Sequence, residues 1–63
     1  MSNLEEKMNE MMQALISTAV DVEKFESGNK SAGTRIRGAM QDVKAIAQAV
    51  RVEVQAIKNG ELV

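Results

Sequence analysis

The sequence contains no cysteine, histidine, proline, tryptophan or tyrosine, and Phe25 is its single aromatic residue. Without cysteine and histidine the chain can form neither a disulfide framework nor a Cys/His zinc site. It also lacks the side chains that most often serve as general base or as reactive nucleophile in enzymes. We therefore expect no catalytic residues, no metal site, no cofactor and no small-molecule substrate.

Long apolar runs and an excess of one charge are absent as well. No apolar run approaches the roughly 20 residues that span a bilayer. The N-terminal MSNLEEKMNE is acidic and amphipathic, unlike a signal peptide. These absences predict a cytoplasmic protein without membrane contact. The net charge is −1 over 63 residues, whereas a simple nucleic-acid-binding domain is expected to be basic.

Helix-forming residues fill most of the chain and are interrupted in two places, at ESGNKSAG (26–33) and at Asn59–Gly60. Gly28 suits the left-handed residue that ends a helix, and Asn29 suits the N-cap of the next one. Ser2, with a glutamate three residues later, is a capping box for the first helix. The sequence thus predicts a single domain, 1–63, with a helix at about 3–26, a turn at 27–29 and a helix at about 30–59.

Apolar residues recur with helical spacing in both predicted helices. The first stripe, which includes one threonine, consists of Leu4, Met8, Met11, Leu15, Thr18, Val22 and Phe25. The second is built on a strict heptad and consists of Ile36, Ala39, Met40, Val43, Ile46, Ala47, Val50, Val54 and Ile57. Both stripes are wider than a two-stranded seam needs. We therefore predict an all-α, antiparallel two-helix hairpin that dimerises into a four-helix bundle.

The alternative architecture is a long coiled coil built from one continuous helix. That helix would have to contain Gly28, Asn29 and Gly33 within six positions, which is costly. We favour the hairpin for this reason. The predicted dimer core comprises Met8, Met11, Leu15, Val22, Phe25, Ile36, Val43, Ile46, Val50 and Ile57.

The net charge of −1 is the sum of two unlike halves. Residues 1–29 carry six carboxylates and two lysines, hence −4, and residues 30–63 carry six cations and three carboxylates, hence +3. Five of these cations are spaced seven residues apart: Lys30, Arg37, Lys44, Arg51 and Lys58. Arg35 joins Lys30 and Arg37 beside the start of the second helix, where backbone amides attract anions.

These six cations are the candidate DNA- or anion-binding residues. No aromatic side chains accompany them, so base stacking is not expected and contact with DNA would be limited to the phosphate backbone, without sequence specificity. The other interpretation of the same pattern is a solvated helix face, whose cations pair with the acidic first helix.

The segment ESGNKSAGTRIR, from Glu26 to Arg37, resembles the loop of small bacterial linker-histone-like proteins. In that family a G-N-K-x-A-[GA]-x-R-x-R segment lies in a short helical hairpin and precedes a helix with apolar heptads and interspersed cations. The resemblance covers about residues 22–60, the hairpin region, without the Lys/Ala/Pro-rich basic tail of the members that compact DNA. The matching residues are Gly28, Asn29, Lys30, Ala32, Gly33, Arg35 and Arg37.

The resemblance implies a non-enzymatic, histone-like DNA-binding or architectural protein of the nucleoid, and it implies DNA contact by Lys30, Arg35 and Arg37. A second hypothesis follows from the near-neutral charge and the missing tail. In that hypothesis the chain is a homodimeric helical assembly module with no role at nucleic acid.

Overall fold

The computed structural model describes residues 3–60, which form two helices joined by a three-residue turn. Helix α1 spans Asn3–Glu26 and helix α2 spans Lys30–Lys58. At a rise of about 1.5 Å per residue they are about 36 Å and 44 Å long. The helices pack against each other along their lengths, which confirms the predicted all-α hairpin. Helix α2 ends one residue before the predicted end, and the predicted cap Ser2 lies outside the described residues.

The turn combines a C-terminal motif of α1 with the N-cap of α2. The amide of Asn29 donates to the carbonyl of Lys24 at 2.9 Å, and the amide of Gly28 donates to the carbonyl of Phe25 at 3.0 Å. This pair of bonds is a Schellman motif, and it places Gly28 at a φ of 105°, where a glycine is favoured. Asn29 then has an extended backbone and caps α2.

The seam between the helices is built from residues three and four apart on each chain segment. In α1 its buried or half-buried members are Leu4, Lys7, Met11, Ala14, Thr18 and Asp21. In α2 they are Ala32, Ile36, Ala39, Val43, Ile46, Val50 and Glu53, and the small residues Gly33, Ala47, Ala49 and Ala56 are half-buried beside them. The seam of α1 therefore uses only part of the apolar stripe and includes two charged residues. The hydroxyl of Thr18 donates to the Ala14 carbonyl at 2.7 Å, so this buried polar group is satisfied within its own helix.

Phe25 closes the seam at the turn by packing against Gly33. A Cβ atom at Gly33 would lie 2.7 Å from Cε1 and 2.9 Å from Cδ1 of the Phe25 ring. Such distances are well inside van der Waals contact, so only glycine allows the ring its position. Gly33 therefore serves close packing inside α2, while Gly28 serves the backbone of the turn.

The hairpin buries few side chains. Among residues 3–60, Ala32 is the one buried apolar residue and Thr18 the one buried polar residue. The chain exposes 4907 Å², whereas a compact monomer of this mass is expected to expose about 4,000 Å². The radius of gyration is 15.0 Å, against about 11 Å for a compact chain of this length. A single copy is thus a long, thin body measuring 49 × 18 × 11 Å with little core.

No helix within residues 3–60 is both long enough and apolar enough to cross a membrane.

Candidate functional site

Five of the six candidate cations form a row along the exposed surface of α2. Four members follow a heptad residue of the second stripe by one position, as Arg37 follows Ile36 and Lys44 follows Val43, and Lys30 continues the same spacing at the start of α2. Neighbours are about 10.5 Å apart along the helix axis, so the row is about 42 Å long. We call these five residues the cation row: Lys30, Arg37, Lys44, Arg51 and Lys58.

The cation row winds slowly around α2. A spacing of seven residues falls short of two full turns by about 20° on a straight helix. Over the four steps of the row this amounts to about 80°. The row therefore occupies one side of α2 throughout and never reaches the seam.

Shallow depressions lie between successive cations of the row. One is bordered by Arg37, Lys44 and Gln41, and the next by Lys44, Arg51 and Gln48. Each depression thus places two cations beside a carboxamide, which can donate further hydrogen bonds to an anion. This surface is suited to an extended anionic partner that spans several depressions, because each depression offers only a few groups.

Arg35, the sixth candidate, is engaged within the hairpin. Its Nε donates to Oδ1 of Asp21 across the seam at 2.9 Å. The other ion pair among residues 3–60 joins Nζ of Lys7 to Oε2 of Glu53 at 3.0 Å. The expected pairing between the acidic and basic helices therefore exists, but it involves one of the six candidates. The five cations of the row form no ion pair with the described carboxylates.

The helix start beside Lys30 is already satisfied by the protein itself. Oδ1 of Asn29 accepts from the amides of Ser31 at 3.1 Å and Ala32 at 3.3 Å, and from the Ser31 hydroxyl at 2.7 Å. Two of the amides predicted to attract an anion are thus occupied by the cap. Lys30 and Arg37 remain exposed near this end of the helix.

The predicted core residues divide into two groups in the hairpin. Met11, Ile36, Val43, Ile46 and Val50 are half-buried at the seam. The remaining members of the predicted core are exposed, and they are Met8, Leu15, Val22, Phe25 and Ile57.

Sequence reasoning missed three seam residues, Lys7, Asp21 and Glu53, because charged side chains were assigned to solvent. Their heptad positions could have identified them as seam residues. Lys7 and Asp21 occupy the same heptad position as Ala14, on the side of the stripe that turned out to face α2. Within residues 3–60 no three carboxylates lie close enough together to hold a metal ion.

One known protein family matches nearly the whole hairpin. The family model described as Histone H1-like protein Hc1 matches residues 5–60, which include nearly all of α1, the turn and α2. The chain belongs to this histone H1-like family. The match confirms the resemblance carried by the GNK segment and extends it towards the N-terminus through α1. The cation row of this histone H1-like chain lies inside the matched region, and so does the seam apart from Leu4. No curated protein and no solved structure matches the chain significantly.

Proposed function

We propose that the chain is a non-enzymatic, histone-like protein of the cytoplasmic nucleoid that binds the DNA phosphate backbone without sequence specificity. Membership of the histone H1-like family supports DNA as the partner. The observation that carries the proposal is the cation row. Its five members are exposed along about 42 Å of α2 and have no carboxylate partner among the described residues.

The geometry of the row predicts moderate, salt-sensitive binding. A duplex carries one phosphate charge per about 1.7 Å of axis, so 42 Å of duplex presents about 25 charges. Five cations from one chain neutralise a minority of these. If all five contact phosphates, the logarithm of the binding constant should fall with the logarithm of the salt concentration with a slope of about −4.5 per chain.

The decisive experiment is a titration of random-sequence duplex at several salt concentrations. We expect Lys44→Gln to weaken binding and to reduce the slope by about 0.9. The matched control is Lys24→Gln, which removes one exposed lysine from α1 on the opposite side of the hairpin. Arg35→Gln should have a smaller effect than Lys44→Gln, because Arg35 is held by Asp21. Equal effects at positions 44 and 24 would contradict the proposed site, and no binding at low salt would contradict the function.

A second copy of the chain completes the fold in this proposal. The supporting observation is an exposed apolar surface on both helices, with Leu15 of α1 at 47% and Met40 of α2 at 40% accessibility. The excess surface of about 900 Å² over a compact monomer is close to the about 800 Å² that each partner buries in a standard interface. We propose a homodimeric four-helix bundle.

The same exposed apolar surface supports the second candidate function, an assembly module without a role at nucleic acid. The two candidates differ in one measurement. A dimer that retards no duplex at low salt would favour the assembly module, and a dimer that retards duplex with the expected salt slope would favour the histone-like protein.

A further inference from the structure

One group of apolar residues from both helices lies on one side of the hairpin, whereas other exposed apolar residues, such as Val20 and Val52, lie outside this group. In α1 they follow seam residues by one position, as Met12 follows Met11 and Leu15 follows Ala14. In α2 the same relation holds for Met40, which follows Ala39. Because the helices are antiparallel, the residue that follows a seam residue lies on the same side of the hairpin in both helices. We call this side the open face, whose members are exposed except for the half-buried Ala47: Met8, Met12, Leu15, Ala19, Val22, Met40, Ala47 and Val54.

The cation row forms the border of the open face along α2. Arg37 and Lys44 line the same depression as Met40, and Lys44 and Arg51 line the same depression as Ala47. On α1 the corresponding border carries exposed carboxylates, including Glu23 and Glu26 near the turn. One long edge of the open face is therefore cationic, and the opposite edge is acidic at its end beside the turn.

A second copy can cover the open face in two symmetric ways. With the two-fold axis parallel to the helices, each α2 lies against the partner's α1, and the cationic edge of one copy meets the acidic edge of the other. With the axis across the helices, like helices meet, and cations face cations. The first arrangement places opposite charges next to each other. The second places like charges opposite each other, which is unfavourable.

The register of the hairpin supports the first arrangement in detail. Residues that face each other across the seam of an antiparallel hairpin have residue numbers with a nearly constant sum. The sum is 60 for Lys7 and Glu53, and 56 for Asp21 and Arg35. A two-fold axis parallel to the helices leaves the position of each residue along the helix axis unchanged. The same sums of residue numbers therefore identify neighbours across the proposed dimer. Glu23 with the partner copy's Arg37 totals 60, and Glu26 with the partner copy's Lys30 totals 56.

We propose that two copies pair through the open face with each α2 against the α1 of the other copy, so that carboxylates of one copy border the cation row of the other. This inference rests on the proposed dimer and deepens the proposed function. When DNA binds, the cations near the turn then leave the carboxylates of the partner copy and contact phosphates instead. Dimer contact and DNA contact therefore share Arg37 and Lys30, and Glu23 limits the affinity for DNA.

Cysteine cross-linking tests the arrangement without DNA, because the chain has no cysteine of its own. Chains carrying Leu15→Cys are mixed with chains carrying Met40→Cys or Ala47→Cys and oxidised gently with oxidised glutathione. A disulfide requires Cα atoms within about 7 Å, and Leu15 lies at a height between Met40 and Ala47 in the proposed dimer. We expect the mixed disulfide to exceed either symmetric product at least fivefold.

The other outcomes overturn the arrangement. Predominant Leu15→Cys homodimers would show that like helices meet, with the dimer itself intact. Cross-linking no stronger than that of the control Ser17→Cys, which lies on the opposite side of α1, would overturn the dimer as well.

The shared role of Arg37 is tested by DNA affinity. We expect Glu23→Gln to increase the affinity for DNA severalfold relative to Glu10→Gln. The Glu10→Gln control removes the same charge from the opposite side of α1. Equal effects of the two substitutions would overturn the pairing of Glu23 with Arg37. The absence of DNA binding in every variant would instead contradict the proposed function, while the cross-links would still report the arrangement.

Discussion

At the scale of single residues, the turn depends on three small or polar residues with separate tasks. Gly28 has a positive φ that ends α1, and Asn29 caps α2 through its side-chain oxygen. Gly33 leaves room for the ring of Phe25. These residues belong to the segment that matches the family's GNK pattern, so that segment encodes the local structure of the hairpin as well as carrying cations.

Two glycines of α2 provide a matched test of the contact with Phe25. Gly38→Ala should raise the free energy of unfolding by about 1 kcal/mol, because alanine is the better helix former and the site has open space. Gly33→Ala brings the same helical gain but displaces the Phe25 ring, so we expect little gain or a loss. Chemical denaturation at one fixed protein concentration compares them, and equal stabilisation by both would contradict the contact.

At the scale of the helices, the seam uses a different side of α1 from the centre of its apolar stripe. Lys7 and Asp21 lie in the seam, while Met8, Leu15 and Val22 lie beside it and are exposed. The two seam charges are tolerated because each has a partner on α2, namely Glu53 and Arg35. The ion pairs thus align the helices in one register, and the larger apolar side chains remain on the open face.

The two ion pairs should differ in strength because they differ in burial. The side chains of Lys7 and Glu53 are 27% and 11% exposed, whereas those of Arg35 and Asp21 are 49% and 21% exposed. We expect a coupling free energy of about 1 kcal/mol or more for the first pair and less than about 0.5 kcal/mol for the second, since exposure and salt weaken ion pairs.

Double-mutant cycles measure these couplings. One cycle uses Lys7→Met with Glu53→Gln, and the other uses Asp21→Asn with Arg35→Gln. A larger coupling in the Asp21–Arg35 cycle would show that burial is not what separates them. The measurements need equal protein concentrations, because association adds to the apparent stability of a dimer.

At the scale of the whole molecule, one hairpin is a thin body with few buried side chains. No large side chain among the described residues is fully buried. Ordering the chain costs roughly 1.5 kcal/mol of entropy per residue, and this cost is the physical argument for the proposed dimer, which would bury surface that a single copy leaves exposed.

A charge on the open face should prevent both association and folding. We expect Leu15→Asp to sediment as a monomer with reduced helix content at micromolar concentration, because an unpaired carboxylate cannot be buried in the interface. Ser17→Asp introduces the same charge on the opposite side of α1 and should remain dimeric and helical. A helical dimer of Leu15→Asp would show that the open face is not the interface, and a helical wild-type monomer would contradict the dimer.

The secondary structure could be read from the sequence because its signals are local. Glycine and asparagine at the turn, helix formers elsewhere and heptads of apolar residues each act within a few residues along the chain. The exposed position of the cation row follows from the same periodicity. The predicted DNA contacts of its members remain predictions, as does the four-helix bundle.

The rest could not be read because it depends on which sides of the helices meet. A stripe as wide as that of α1 allows several seams of similar apolar content, and the choice rests on long-range terms such as the Lys7–Glu53 pair and the Phe25–Gly33 contact. For the same reason the sequence grouped Arg35 with the free cations, although it is paired with Asp21.

By itself, then, the sequence determined two helices, their turn and a regular line of cations, since each of these follows from residue type and spacing. Only the tertiary structure decided which apolar residues lie in the seam and which form the open face, because that choice depends on contacts between residues far apart in the chain. The same contacts place the cation row at the border of the open face, and this placement links the proposed second copy to the candidate DNA site.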